Sequence, residues 1–333
     1  MIRIQFKVKK VEKELRTDWM QRLASIDVGS NTIRLLIAEP AVSAPLRPIH
    51  VQRRITRLGE NFLPDRILQP AAVDRSIAAL EEFVELMEQN GVSEYSAAAT
   101  AVVREASNGS NFLNLVQRKT GLDVRLLSGS EEARLSLLGV ASVISTKESA
   151  MVVFDIGGGS TELVWKGDGS AMESSSLPVG VVHLTETFLQ GDPPGHEPCL
   201  QLREYVSSVL TELSFDNDFH DALWVGTAGT VTTLASMWYE LAEYDPARIN
   251  GTVLERTWLA DLCARLAEMK LAERRKLTGL EPGREDIILA GGLVTLEIMD
   301  IFDFSHFTVS DAGLLEGLFF DLCRTLSSSP GNG

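Results

Sequence analysis

Three short turns rich in glycine, serine and threonine, each after an apolar run, are the segments of this sequence best suited to chemistry. They are Gly29-Ser30-Asn31-Thr32, Gly157-Gly158-Gly159-Ser160-Thr161 and Gly226-Thr227-Ala228-Gly229-Thr230. Glycine lets backbone N–H groups approach an anion closely, and hydroxyl groups add further donors, so such turns suit phosphate oxygens. A single example is most often only a tight turn. Three in one chain predict a phosphate-binding protein.

Carboxylates stand beside the first two turns. Asp27 and Asp155 each end the apolar run that precedes a turn, and Glu162 lies on the run that follows Asp155. A hard oxygen ligand next to a bound phosphate is suited to hold Mg²⁺. Hairpin pairing would bring Glu162 within reach of the ion at Asp155. We therefore predict Asp27, Asp155 and Glu162 as metal-site residues; the alternatives are turn-capping aspartates and a surface glutamate.

Two further charged residues are candidates for catalysis. Glu132 follows Glu131 in the first turn of a predicted helix, with Ser128 and Ser130 available as caps. Glutamate at this position is also a routine complement to the helix dipole, so capping competes with catalysis as its role. Arg104 precedes an Asn-Gly turn, where it either pairs bidentately with phosphate or lies in solvent.

Charge and composition exclude several classes of function. The net charge of −15 argues against a general nucleic-acid binder, which usually carries a basic patch. The cluster Arg53, Arg54 and Arg57 either guides a polyanion locally or is simply solvated. No apolar run reaches the length of a membrane span. Three scattered cysteines indicate no disulfide framework, which favours a cytoplasmic location.

The elements that must position these residues form a repeat. Each of the first two turns lies between two apolar runs, and the two units are about 128 residues apart. Apolar spacing predicts helices over residues 71–89, 111–119, 200–213, 258–269 and 286–302, and strands over residues 96–100 and 124–127. Alternating strands and helices indicate an α/β protein with two duplicated lobes.

Three motifs carry a family resemblance: residues 26–36 (IDVGSNTIRLL), 128–134 (SGSEEAR) and 154–163 (FDIGGGSTEL). With further matches at residues 57–60 (RLGE) and 310–317 (SDAGLLEG), the chain resembles the exopolyphosphatase and guanosine pentaphosphate phosphohydrolase family. The resemblance implies two ribonuclease-H-like lobes, as in actin, sugar kinases and heat-shock chaperones, with the active site in the cleft between them. We expect an N-terminal extension (1–21), a first lobe (22–130 plus 313–328) and a second lobe (131–312).

The resemblance also implies residue roles. Glu132 matches the general base of the family, Arg104 its phosphate-contacting arginine, and Asp155 and Glu162 its acidic metal-site residues. The turns at Ser30, Asn31 and Thr32 and at Gly157, Gly158, Gly159 and Ser160 would bind phosphates, and Gly226, Thr227 and Gly229 a nucleotide. The expected cofactor is Mg²⁺ or Mn²⁺.

The implied activity is hydrolysis of a terminal phosphate from polyphosphate or guanosine pentaphosphate by in-line attack of water. A small-molecule kinase and a non-catalytic sensor of guanosine tetra- or pentaphosphate remain as alternatives. Many relatives carry an extra C-terminal helical domain that this sequence does not match, so we expect the short two-domain form. We expect no nucleic-acid or membrane partner, and the general prior for soluble oligomers favours a homodimer.

Overall fold

The computed structural model describes residues 21–40, 46–145, 150–167, 171–213 and 222–328. Residues 1–20, which make up almost all of the predicted N-terminal extension, lie outside the described residues. The described strands form two sheets, each covered by helices.

The first sheet has the strand order β3-β2-β1-β4-β5. Its strands are β1 (Arg22–Val28), β2 (Thr32–Ala38), β3 (Pro48–Ile55), β4 (Val92–Ala99) and β5 (Val124–Leu126). β1, β2 and β3 form an antiparallel meander, whereas β4 and β5 join parallel to β1.

The second sheet repeats this plan in the order β10-β11-β9-β6-β7-β8. Its strands are β6 (Ala150–Ile156), β7 (Thr161–Gly167), β8 (Glu173–Leu177), β9 (Ala222–Thr227), β10 (Val253–Glu255) and β11 (His306–Val309). β6, β7 and β8 are the antiparallel meander, β9 and β11 are parallel to β6, and β10 is an added edge strand. The shared order confirms the duplicated, two-lobed α/β fold of the ribonuclease-H-like type.

Helices connect and cover the strands. They are α1 (Pro70–Gln89), α2 (Ala101–Glu105), α3 (Gly109–Thr120), α4 (Gly129–Val143), α5 (Val181–Phe188), α6 (His196–Leu210), α7 (Ala228–Trp238), α8 (Pro246–Ile249), α9 (Arg256–Glu268), α10 (Leu271–Arg274), α11 (Ile288–Ile301) and α12 (Leu314–Ser328). All five predicted helices are confirmed, with ends shifted by a few residues because end residues lack the apolar spacing that marks the interior. None of the helices in the described part of the chain has the length and apolar character needed to cross a membrane.

The two hairpins that carry the phosphate turns share one register. Asp27 pairs with Arg34 across β1 and β2, and Asp155 pairs with Glu162 across β6 and β7. Directly opposite residues of an antiparallel pair lie on the same face, so each aspartate meets the residue seven positions later. The predicted pairing of Asp155 with Glu162 is therefore confirmed.

Helices α4 and α12 connect the two sheets. α12 packs on the first sheet through Leu315 and Phe319, whereas α4 packs on the second through Ala133 and Val140. The two helices touch at glycines: a Cβ at Gly139 would collide with the Gly313 carbonyl oxygen. The lobes are thus joined by a close contact between backbones, while the residue boundaries of the lobes stay a prediction.

Candidate active site

A cavity of about 590 Å³ lies between the sheets, where the hairpin turns of both lobes meet. Its lining includes the predicted site residues Asp27, Ser30, Asn31, Thr32, Glu132, Asp155, Gly157, Gly158, Gly159, Ser160 and Gly229. Its lining does not include Arg104, Glu162, Gly226 or Thr227. The fold therefore brings most of the predicted site together from segments distant in sequence.

The first two turns lie side by side in the lining of this cavity and contact each other. In both, the first glycine N–H donates to the carbonyl oxygen three residues later: Gly29 to Thr32 at 3.2 Å and Gly157 to Ser160 at 2.9 Å. A Cβ at Gly159 would lie 2.6 Å from the Ser30 Oγ. Only glycine allows so close an approach between turns of different lobes. The contact with Ser30 therefore explains why residue 159 is a glycine.

The third turn differs from its prediction. β9 runs directly into helix α7, so the segment is a strand-to-helix junction whose N-terminal residues, including Gly229, line the cavity. Helix N-termini attract anions because their first N–H groups have no helical partner. Gly226 and Thr227 lie inside the protein: the Thr227 hydroxyl donates to the Ala312 carbonyl at 2.9 Å. They do not line the cavity because the chain turns toward it only after β9, and their role in binding a nucleotide stays a prediction.

The structure separates the roles of Glu131 and Glu132. Glu131 completes a capping box with Ser128, accepting from its N–H at 2.9 Å, and remains exposed. Glu132, one residue on, points into the cavity and is 7% exposed. Burial raises the pKa of the Glu132 carboxyl well above its usual range, and three neighbouring carboxylates raise it further, whereas Arg104 opposes the rise. Helix capping is thus supplied by Glu131, which leaves Glu132 free for chemistry.

Asp155 and Glu162 lie next to each other beneath the second turn. The Ser136 hydroxyl donates to Asp155 Oδ2 at 2.9 Å, and burial raises the pKa of Asp155. Glu162 Oε1 accepts from the hydroxyls of Ser160 at 2.8 Å and Ser176 at 2.7 Å. Burial, followed by the charge of Asp155, raises the pKa of Glu162 to about 7. Glu162 therefore supports the turn from behind and does not line the cavity.

The carboxylates fit the way Mg²⁺ is usually bound. Among the described residues, no group of three or more His, Cys, Asp or Glu side chains is arranged as a protein-only metal cage. Mg²⁺ instead commonly uses one or two carboxylates together with water and substrate phosphate. Asp27 has a buried Oδ1 with no hydrogen-bond partner, while its Oδ2 accepts from Arg34 at 2.7 Å. Asp27 and Asp155 therefore fit as the cavity-lining ligands, with Glu162 behind them.

Arg104 lies beside the candidate base. Its Nη1 donates to the Leu127 carbonyl at 2.8 Å and lies 3.5 Å from Glu132 Oε2. This placement orients Glu132 and partly balances its charge. Direct contact of Arg104 with phosphate stays a prediction.

Arg284 and Glu316 line the cavity although the sequence interpretation assigned them no role. Arg284 Nη2 lies 3.3 Å from the Thr32 hydroxyl, and its guanidinium covers Gly229. Glu316 Oε2 accepts from the Gly313 N–H at 2.8 Å, and burial raises its pKa to about 7. The matched 310–317 motif pointed to Glu316, whereas Arg284 had no local signal.

Comparisons with known proteins show the family of this chain. The Ppx/GppA phosphatase family matches residues 36–326. Exopolyphosphatase 2 of Mycobacterium tuberculosis is 31% identical over 316 residues, which are 91% of this chain and 99% of that protein. Exopolyphosphatase 1 of Mycobacterium bovis is 30% identical over 299 residues, 89% of this chain and 87% of that protein. The crystal structure of the Aquifex aeolicus member of the Ppx/GppA family has a TM-score of 0.78 and 34% identity, covering 93% of this chain and 99% of that chain. This chain belongs to the Ppx/GppA phosphatase family.

Proposed function

We propose that this protein hydrolyses the terminal phosphoanhydride bond of inorganic polyphosphate, with Glu132 as general base. The observation that carries the proposal is the position of Glu132. Its carboxylate is buried, takes no part in capping helix α4, and lines the same cavity as the two phosphate-type turns. Relatives that are named exopolyphosphatases and align over nine-tenths of the chain support the choice of substrate.

The two turns and the start of α7 would hold successive phosphates. Ser30, Gly158 and Gly229 all line the cavity, so the two turns and the start of α7 border the same space. Phosphoryl transfer depends mainly on placement and on stabilising charge that develops on the transferred group. Arg284, which is 7% exposed on the cavity wall, supplies a cation for that charge.

Water would attack the terminal phosphorus in line with the bridging oxygen. The new bond joins the water oxygen to phosphorus, the bond from phosphorus to the bridging oxygen breaks, and Glu132 accepts the proton of the water. The products are inorganic phosphate and a chain that is one phosphate shorter. The raised pKa of Glu132 makes it a stronger base than an exposed glutamate.

A bound Mg²⁺ would offset charge on the phosphate oxygens. Asp27 and Asp155 are the residues that we propose to hold it. Burial is the main cause of the raised pKa values of Glu132, Asp155 and Glu162, and neighbouring carboxylates raise them further. A bound cation would favour the charged forms of these carboxylates.

Guanosine pentaphosphate is a second candidate substrate because part of the cavity lining is apolar. The lining includes Leu46, Pro48 and Val51 as well as Tyr244. The guanidinium of Arg53 lies 4.4 Å from the centre of the Tyr244 ring. Apolar walls with a few polar groups are typical of pockets that bind flat organic ligands such as a nucleobase.

Phosphate release tests the proposal directly. The purified protein is incubated with long-chain polyphosphate, tripolyphosphate or guanosine pentaphosphate, with Mg²⁺ or with excess chelator. Magnesium-dependent release supports a hydrolase, and the compound with the highest kcat/KM names the substrate. Phosphate transfer to an added sugar or carboxylate would indicate a kinase, and tight nucleotide binding without release a sensor. Either of these two outcomes contradicts the proposal. The homodimer and the cytoplasmic location stay predictions.

A further inference from the structure

The loop after β3, which carries the RLGE motif, has no part in the mechanism above, yet it contacts the first phosphate turn. The N–H groups of Thr56 and Arg57 both donate to the Asn31 carbonyl at 3.0 Å. The Gly59 N–H donates to the Ser30 carbonyl at 2.8 Å. These bonds tie loop 56–59 to the backbone of the phosphate turn, so neither can shift without the other.

Arg57 extends from this loop across the cleft to the second lobe. Its Nη1 lies 2.8 Å from Asp286 Oδ2 and its Nη2 lies 3.0 Å from Asp286 Oδ1. Nη2 also donates to the Gly283 carbonyl at 3.1 Å. A bidentate arginine–carboxylate pair fixes orientation as well as distance. The first lobe is thus fastened to the 281–286 segment of the second.

The 281–286 segment also carries Arg284, one of the arginines in the cavity lining. Arg284 Nη2 reaches the Thr32 hydroxyl at 3.3 Å, so it contacts the same phosphate turn. A second cross-cleft ion pair joins Arg53 Nε to Glu281 Oε1 at 2.9 Å. The phosphate turn, the Arg57 loop and the segment of Arg284 therefore form one continuous set of contacts across the cleft.

The backbone of Arg57 is itself unusual. Its φ angle is 51°, in the left-handed region that residues other than glycine seldom adopt. Such a conformation persists only where surrounding contacts impose it, and it is concentrated at functional sites. Here the bonds to Asn31 hold the backbone in place and direct the side chain at Asp286.

We propose that Arg57 and Asp286 form an interlobe clasp that holds the cleft closed and sets the phosphate turn against Arg284. Arg57 is a positioning residue in this scheme, because it acts through the turn and through Arg284. The expected changes in KM and kcat rest on the proposed hydrolase function. The clasp itself rests on geometry alone and is tested without turnover.

The clasp predicts a specific kinetic change. If only the closed form binds substrate well, weakening the clasp lowers the population of that form and raises KM by the same factor, while saturating substrate restores closure and kcat. For a partly exposed bidentate pair we expect KM to rise roughly five- to tenfold. Salt screens the wild-type pair, so the KM ratio of variant to wild type should shrink as ionic strength rises.

The variants are Arg57→Gly, Asp286→Asn and the double variant. Glycine removes the side chain and suits the positive φ, so the loop keeps its backbone. The matched control is Arg54→Ala. Arg54 Nε donates to Glu82 at 2.9 Å within the first lobe, so its loss removes an ion pair of similar exposure that does not cross the cleft.

Two measurements are made on the full chain: KM and kcat for tripolyphosphate with Mg²⁺, and the radius of gyration by small-angle X-ray scattering with and without tripolyphosphate. We expect the radius of gyration of both single variants to exceed that of wild type without tripolyphosphate and to decrease when tripolyphosphate is added. The double variant should show little further increase, because both changes remove the same ion pair. The radius of gyration of Arg54→Ala should equal that of wild type. A radius of gyration equal to wild type in Arg57→Gly and Asp286→Asn would overturn the clasp. Absence of phosphate release from wild type would remove the hydrolase proposal, and the scattering comparison would still decide on the clasp.

Discussion

Replacing Glu132 with glutamine tests its role as a base separately from substrate binding. Glutamine has nearly the same shape and keeps the side-chain amide within reach of the cavity, but it neither carries charge nor accepts the proton of water at neutral pH. Because Glu132 is 7% exposed and capping is supplied by Glu131, the change leaves the start of helix α4 intact.

The size of the effect follows from the role. General-base catalysis contributes about 10²- to 10⁴-fold, which is about 3–5 kcal/mol of transition-state stabilisation. We therefore expect kcat of Glu132→Gln to fall by that factor. KM should stay the same or decrease, because removal of one carboxylate from the Asp155 and Glu162 group lessens repulsion of a polyanionic substrate.

The pH dependence of folding stability gives a second test of Glu132, and its direction follows from the raised pKa. Because the pKa of Glu132 is raised in the fold, ionisation opposes folding, and stability is lost as pH rises from the usual value of 4.5 through the folded pKa. Glu132→Gln removes this loss. Its melting temperature without Mg²⁺ should therefore equal wild type near pH 4.5 and exceed it at pH 8.

The assay is steady-state phosphate release with Mg²⁺, together with thermal melts across this pH range. The matched control is Glu131→Gln, which keeps the capping-box geometry but loses the negative charge at the helix N-terminus, so it should lower stability by roughly 0.3–1 kcal/mol with kcat retained. Near-wild-type kcat for Glu132→Gln, or a similar loss of kcat in both variants, would refute the assignment of Glu132 as the base.

Three further substitutions test the surroundings of the site. Glu162→Gln should stabilise the protein at pH 8 by on the order of 1–3 kcal/mol without Mg²⁺, because a carboxyl whose pKa is about 7 in the fold is ionised there against burial. Thermal melts at pH 5 and 8 should show a much smaller gain at pH 5, and equal gains at both pH values would contradict this reasoning. Gly229→Ala should raise KM with little change in melting temperature, because a Cβ would displace the flexible Arg284 guanidinium; unchanged KM would show that Arg284 does not contact substrate. Gly139→Ala should cost about 1–3 kcal/mol in a denaturant titration, because its Cβ would meet the Gly313 carbonyl oxygen at the contact of α4 and α12; wild-type stability would mean that the helices separate freely.

Sequence alone was sufficient where the signal is local. The two hairpins, their glycine turns and the pairing of Asp155 with Glu162 follow from short apolar runs that flank a turn, because strand pairing across a tight turn depends on neighbouring residues. The family motifs likewise singled out Glu132, which lies on the cavity, and its role as the base stays a proposal. The duplicated plan of the lobes could be predicted because the same local pattern occurs twice.

Tertiary structure decided everything that depends on how the two lobes meet. By their positions in the first turn of a helix Glu131 and Glu132 are equivalent, and the packing of α4 directs one to its cap and the other to the cleft. The Arg57–Asp286 pair joins residues 229 positions apart. Neither apolar periodicity nor turn residues predict such a pair, because its partners are distant in sequence and meet only through the packing of the two lobes.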